Sequence, residues 1–261
     1  MKPSPITQFY DTRTLGQCEL EKRGGVRCER SAAVEGRVKV LDLFSGIGSF
    51  SLGLEAAGMR TVAFCEINPK CRAVLEARWP DVPIHEDIKD LDGKQYAGAI
   101  DVVCGGFPCQ PFSTASAGKQ RGKEDDRFLW PEMRRVIEES EPTWVIGENV
   151  AGIAGLALEQ VVSDLEALGY EVQPLEIPAC AVGHDHKRSR YWFLGYSDRN
   201  CKPRRARHAE APLLSWNHRG AGRMGTPNGP ASRMDRLHML GNSLVPEIPE
   251  IIGRTIMSLN Q

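Results

Sequence analysis

From Val38 onward, short apolar runs alternate with amphipathic stretches, and glycine or proline marks most of the junctions. That alternation restricts the chain to a largely parallel sheet wrapped by helices, because parallel strands need a crossover between them. Val38–Phe44 predicts a buried strand, Ser45-Gly46-Ile47-Gly48 a glycine turn, and Phe50–Ala57 a helix. Thr61–Glu66 predicts a second strand and Pro69–Arg78 a helix with proline in its first turn, where its missing N–H costs nothing. A short strand around Ile84 follows, then a strand at Ile100–Cys104, a helix across Trp130–Glu139 and a strand at Trp144–Gly147. Leu156–Leu168 predicts a helix, Glu171–Ile177 and Arg190–Gly195 strands, and Pro246–Leu259 a closing helix.

Four segments follow from this pattern. Residues 1–36 have mixed charge and a Gly24-Gly25 break, and are expected to form a poorly ordered or part-helical extension. Residues 37–196 form the main α/β domain. Residues 197–232, rich in Arg, His, Pro, Gly and Asn, form a short irregular insert, and 233–261 return to the main domain. No apolar run approaches the roughly 18 residues of a membrane span, and the N-terminus lacks the basic-then-apolar layout of a signal peptide. A cytoplasmic, monomeric protein without a membrane partner is expected. The eight cysteines include no CxxC pair, and Cys65 and Cys104 sit in apolar runs, so reduced thiols are expected and no metal site. The net charge of −1 excludes a generally basic molecule, so any nucleic-acid surface must be a local patch. The insert supplies one, with Arg199, Lys202, Arg204, Arg205, Arg207, Arg219 and Arg223 against only Asp198 and Glu210.

Four motifs carry chemistry. Asp42–Gly48 stands at a strand-to-helix turn, where glycines let a ligand approach the backbone, and Glu66 ends the next strand, placed for ribose hydroxyls. Asp87-Ile88 offers a polar contact and an apolar wall for an adenine ring. The turn lacks the third glycine of a dinucleotide fingerprint, which disfavours an oxidoreductase. Gly105-Gly106-Phe107-Pro108-Cys109-Gln110 directly follows a central strand, and a cysteine in so glycine- and proline-rich a loop is poorly explained as packing. The loop runs on through Ala117–Lys123, polar and basic, as suits a lid over an anionic polymer. Glu148-Asn149-Val150 ends the next strand, and Arg188-Ser189-Arg190 opens a later one.

One chemistry uses all four. Cytosine C5 is too weak a nucleophile to accept a methyl group directly, and a thiolate adding at C6 activates it. A carboxyl group at N3 and a guanidinium at O2 ease that addition. C5 then attacks a sulfonium methyl, and loss of its proton expels the thiolate. A base in a duplex must first leave the stack, which accounts for a lid.

With these residues in this order, the chain from Val38 to its C-terminus resembles the cytosine-C5 DNA methyltransferases of bacteria and phages. The matches extend to Leu240-Gly241-Asn242-Ser243. The resemblance implies a class I S-adenosylmethionine-dependent methyltransferase fold, Rossmann-like, with one antiparallel strand near the sheet edge and a short target-recognition insert. It implies Cys109 as nucleophile, Glu148 at N3, Arg190 at O2 and Arg188 in support. S-Adenosylmethionine would bind Phe44, Gly46, Gly48, Glu66, Ile67, Asp87, Ile88 and Pro108, with Asn242 and Ser243 closing the site. Gln110, Ser113, Lys119, Gln120 and Arg121, with Arg204, Arg205 and Arg207 of the insert, would contact double-stranded DNA. A cognate restriction endonuclease is a compatible partner but not a required one. Methylation of tRNA at the same carbon, or DNA binding without catalysis, are the alternatives. The chain departs from the family in carrying His186 where Gln is common.

Overall fold

The computed structural model describes residues 38–108, 128–197 except 156, and 243–259. The expectations for residues 1–36, for the loop 109–127 and for the insert beyond Ser197 lie outside the described residues. Among the described residues, seven strands form one sheet in the order β3-β2-β1-β4-β5-β7-β6. They are β1 (Lys39–Leu43), β2 (Arg60–Cys65), β3 (Ile84–His85), β4 (Val102–Gly105), β5 (Trp144–Val150), β6 (Glu171–Pro178) and β7 (Ser189–Tyr196). The helices are α1 (Ser49–Ala56), α2 (Pro69–Arg78), α3 (Trp130–Ser140), α4 (Leu158–Ala167) and α5 (Glu247–Leu259). β1 through β5 pair in parallel, and β7 runs antiparallel to both β5 and β6. The class I methyltransferase sheet with its single reversed strand beside the edge is therefore present. None of these helices is long and apolar enough to cross a membrane.

Strand alternation divides the core. Leu41 and Leu43 of β1 face α3 and α4 together with Val103, Val145, Met133 and Val161. Val40 points the other way, with Val102, Trp144 and Trp192, toward α1 and α5. A sheet covered on both faces explains the near-continuous apolar runs of its central strands. Burying each such side chain contributes about 1.5–3 kcal/mol.

The topology locates the ligand crevice. The chain builds outward from β1 through β2 to β3, then returns to lay β4 on the other side of β1. Loops leaving β1 and β4 thus diverge, and the crevice between their carboxyl ends is where open α/β sheets bind ligands. One boundary differs in a useful way from the sequence expectation. β5 does not stop at Gly147 but continues through Glu148-Asn149-Val150, because pairing with β7 holds it to the Val150–Arg190 rung.

Candidate active site

Phe44 leaves β1 with φ +53°, in the left-handed region, a conformation that costs a bulky residue about 1–3 kcal/mol and is kept where the surroundings over-determine it. Ser45 supplies that restraint. Its hydroxyl donates to the Asp42 carbonyl at 2.6 Å, and its N–H donates to the Cys65 carbonyl at 3.1 Å. The turn then passes through Gly48 at φ +83°, where a Cβ would stand 2.5 Å from the Trp79 ring, so only glycine fits. Glu66, at the end of β2, accepts from the Gly46 N–H at 2.7 Å and from the Asn68 N–H at 2.8 Å, tying the two loops together.

Beneath the turn lies Asp42, fully buried. One carboxylate oxygen accepts from the Ser51 hydroxyl of α1 at 2.7 Å. Burial pushes this carboxyl up to about 7, against the opposing pull of the Ser51 hydrogen bond.

At the end of β4, Gly105 leads into Gly106-Phe107-Pro108. Phe107 is clamped between Trp130 (ring centroids 5.2 Å) and Phe193 (6.3 Å), and its carbonyl accepts from the Asn149 amide at 3.0 Å. The Leu129 N–H meets the Pro108 carbonyl at 3.5 Å, which holds the end of β4's loop beside the start of α3. Gly106 lets Glu148 close in, since a Cβ there would lie 3.1 Å from Oε2.

Glu148 and Arg190 lie on one face of the β5–β7 ladder, where Glu148 opposes Trp192 and Val150 opposes Arg190. They form an ion pair, Arg190 Nε to Glu148 Oε1 at 2.9 Å. Burial pushes the Glu148 carboxyl up to about 7, outweighing the nearby Arg190 and Arg188 charges that pull it down. Such a group carries its proton for a substantial part of the time near neutrality. Arg188 turns toward the C-terminal segment and donates to the Ser243 carbonyl at 2.6 Å.

Part of this set lines one cleft of about 240 Å³. Its walls include Phe44, Gly46, Glu66, Ile67, Asp87 and Ile88 toward one end and Gly106, Pro108, Glu148 and Ser243 toward the other. Ile67 is 68% exposed, unusual for a large aliphatic side chain, and stands at this rim. Gly48, expected among the ligand-binding residues, lies in the turn behind the cleft instead, packed on Trp79. Cys109, Gln110, Ser113, Lys119, Gln120, Arg121, Arg204, Arg205, Arg207 and Asn242 lie outside the described residues.

Four residues with a place here were given no role from sequence. Asn149 restrains the Phe107 carbonyl, Leu129 and Leu244 line the cleft, and Arg135 braces the loop behind Ile88. Asn149 was visible as part of the Glu148 triplet. The others have no sequence signal, since their roles come from distant segments meeting.

Residues 38–219 match the family described as C-5 cytosine-specific DNA methylase. The Type II methyltransferase M.PspPI of Psychrobacter sp. is 40% identical over 176 residues, which cover 64% of this chain and 42% of that protein. The Type II methyltransferase M.NgoMIV of Neisseria gonorrhoeae is 37% identical over 159 residues, covering 59% and 50%. The chain thus spans half or less of the length of these relatives. A prophage-encoded E. coli protein described as a DNA modification methyltransferase superposes with a TM-score of 0.52 at 28% identity, over 62% of this chain and 47% of that one. Spodoptera frugiperda DNMT2 shares the fold, with a TM-score of 0.53 at 22% identity over 66% and 54% of the two chains. The chain belongs to the C-5 cytosine-specific DNA methylase family.

Proposed function

We propose that this chain methylates cytosine at C5 in double-stranded DNA with S-adenosylmethionine, through a covalent adduct between Cys109 and C6 of a flipped base. The observation that carries this reading is Glu148, held by Arg190 at 2.9 Å, on the wall of the cleft that Gly46 and Glu66 also line. Pro108, on the same wall, directly precedes Cys109 in the chain.

The residues present fit the cofactor. The cleft joins a carboxylate, Glu66, to the apolar walls of Ile67 and Ile88, and Gly106 admits the close approach of Glu148. Phe44, Gly46, Glu66, Ile67, Asp87, Ile88, Pro108 and Ser243 would hold it, with Asn242 following from the resemblance alone and Gly48 shaping the turn. Bound there, S-adenosylmethionine would supply an electrophilic methyl group within reach of an activated C5.

The chain's own groups then have distinct tasks. The Cys109 thiolate adds to C6. Glu148, protonated for part of the time near neutrality, donates its proton toward N3 as charge develops in the ring. Arg190, whose Nε lies 2.9 Å from Glu148 Oε1, engages O2, and Arg188 holds the Ser243 wall. Gln110, Ser113, Lys119, Gln120 and Arg121 would close over the DNA, and Arg204, Arg205 and Arg207 would meet its backbone. The names of the Type II relatives are compatible with a partner restriction endonuclease, and a cytoplasmic location would suit this activity.

DNA carrying 5-fluorocytosine at the target site tests the mechanism. A denaturation-resistant adduct is expected with cofactor present, and none with C109S. Methyl transfer to tRNA in place of duplex DNA, or DNA binding with no incorporation on whole genomic DNA, would overturn the substrate or the enzymatic reading respectively.

A further inference from the structure

Arg135 lies on α3, away from the Glu148–Arg190 pair, and its guanidinium makes an unusual set of contacts. Nη2 donates to the Ile88 carbonyl at 2.6 Å and Nη1 to the Leu91 carbonyl at 2.9 Å. Two carboxylates of its own helix hold it in that pose, Glu132 on Nε at 3.0 Å and Glu139 on Nη1 at 2.9 Å. Glu139 also accepts from the Gly93 N–H at 2.8 Å, so α3 grips the segment 88–93 at three backbone points.

That segment is braced from outside as well as from within. It follows β3, a strand of only two residues. Its internal bonds run from Lys89 N–H to the Asp87 carboxylate at 2.9 Å, Asp90 N–H to the Asp87 carbonyl at 3.2 Å and Leu91 N–H to the Ile88 carbonyl at 3.3 Å. Asp87 and Ile88 form one wall of the cleft. The same helix starts at Trp130, directly behind Leu129, which also lines the cleft. One element therefore ties together two parts of the lining.

Resting on the proposed cofactor, we infer that Arg135 is a positioning residue for its adenosine end. Through the Ile88 and Leu91 carbonyls it sets the Asp87–Ile88 wall at the spacing an adenine ring requires. The planar fork of a guanidinium can span two carbonyls and two carboxylates at once, whereas a lysine ammonium is a point charge on a flexible stem. Arg135→Lys is accordingly only a partial substitute, and Arg135→Met removes the brace while keeping much of the volume.

Calorimetry on the full chain, with S-adenosylmethionine and separately with adenosine, tests the inference alongside steady-state kinetics. Arg135→Met is expected to weaken both ligands by about tenfold or more and to raise the KM for cofactor similarly. Its kcat at saturating cofactor should stay within about twofold of wild type, with Arg135→Lys intermediate in affinity. A folded Arg135→Met that binds adenosine like wild type overturns the inference and leaves the proposed function standing. So does a fall in kcat with affinity unchanged. Should Arg135→Met fail to fold, Arg135→Lys decides, and wild-type affinity in it overturns the inference. Failure of the wild-type protein to bind S-adenosylmethionine overturns both.

Discussion

Two carboxyl groups govern how this site should respond to pH, and they do so differently. Burial outweighs the charges of Arg190 and Arg188 and pushes the Glu148 carboxyl up to about 7, so part of the population is protonated near neutrality. Loss of the protonated form above about 7 should offset the gain in thiolate, so the rate of addition at C6 should show a limb that levels off there instead of continuing to climb. Glu148→Gln should remove that levelling of the profile and lower kcat by about 10²–10⁴-fold, the usual contribution of a positioned acid. Cofactor affinity should change little, because Gln can still accept from Arg190. Single-turnover rates across pH 6 to 9 would check both statements. Asp42 acts on stability instead. Its folded-state value of about 7 lies above its ordinary 3.8, so the folded chain holds a proton that the unfolded chain releases. The stability contributed by that proton is fully present below about pH 4. It is lost as pH rises to about 7 and does not change further above that. For a fully buried group this amounts to up to roughly 4 kcal/mol. Asp42→Asn, which can still accept from Ser51, should flatten the dependence. Melting temperatures of wild type and Asp42→Asn at pH 5 and pH 8 measure the difference, and Glu148, present in both proteins, cancels.

At the level of elements, the lip of the cleft depends on how closely α5 packs against α1. A Cβ on Gly53 of α1 would lie 2.2 Å from the Pro246 carbonyl and 2.8 Å from the Glu250 nitrogen, both backbone atoms that cannot step aside. Gly53→Val should push α5 off, move Ser243 and Leu244, and cost about 1–3 kcal/mol from overpacking. Cofactor affinity should fall with it, and a variant that keeps both wild-type melting and wild-type affinity would refute the coupling. This interface also shows what was legible beforehand. The helix at 246–259 was readable from its apolar periodicity, and the strand ends were readable from glycine and proline. That Gly53 and Gly253 form notches between two helices 200 residues apart was not, because an isolated helical glycine has the same appearance whatever it faces. The same holds at the site. Glu148 and Arg190 could be named from their motifs, but their pairing at 2.9 Å depends on β5 continuing three residues past its apolar run. Strand pairing, not propensity, decides that extension. Arg135 was opaque for a related reason. An arginine two turns into a helix between glutamates reads as a solvated face, and only the return of residues 88–91 to that helix gives it carbonyls to hold.

For the whole molecule, the question is how a chain of net charge −1 would hold a polyanion. Between Ser197 and Ser232 the seven basic residues exceed the two acids by five, so positive charge is concentrated where the family places target recognition. Phosphate contacts release counterions, and each one neutralised steepens the fall of binding with salt by about 0.9 in the logarithmic slope. Replacing Arg204, Arg205 and Arg207 together by Ala should therefore flatten the slope by about 2–3 if all three meet phosphates. It should weaken specific and non-specific duplexes by similar factors, since backbone contacts carry no sequence information. Methyl transfer to a saturating concentration of DNA should persist, because Glu148 and Arg190 belong to the sheet and not to the insert. Titrating fluorescent duplexes from 50 to 300 mM salt separates the cases. An unchanged slope would show that these arginines do not touch the backbone. A loss confined to one sequence would make them base-reading residues, and the electrostatic burden would then fall on Lys119, Arg121 and Lys123 of the loop that follows Cys109.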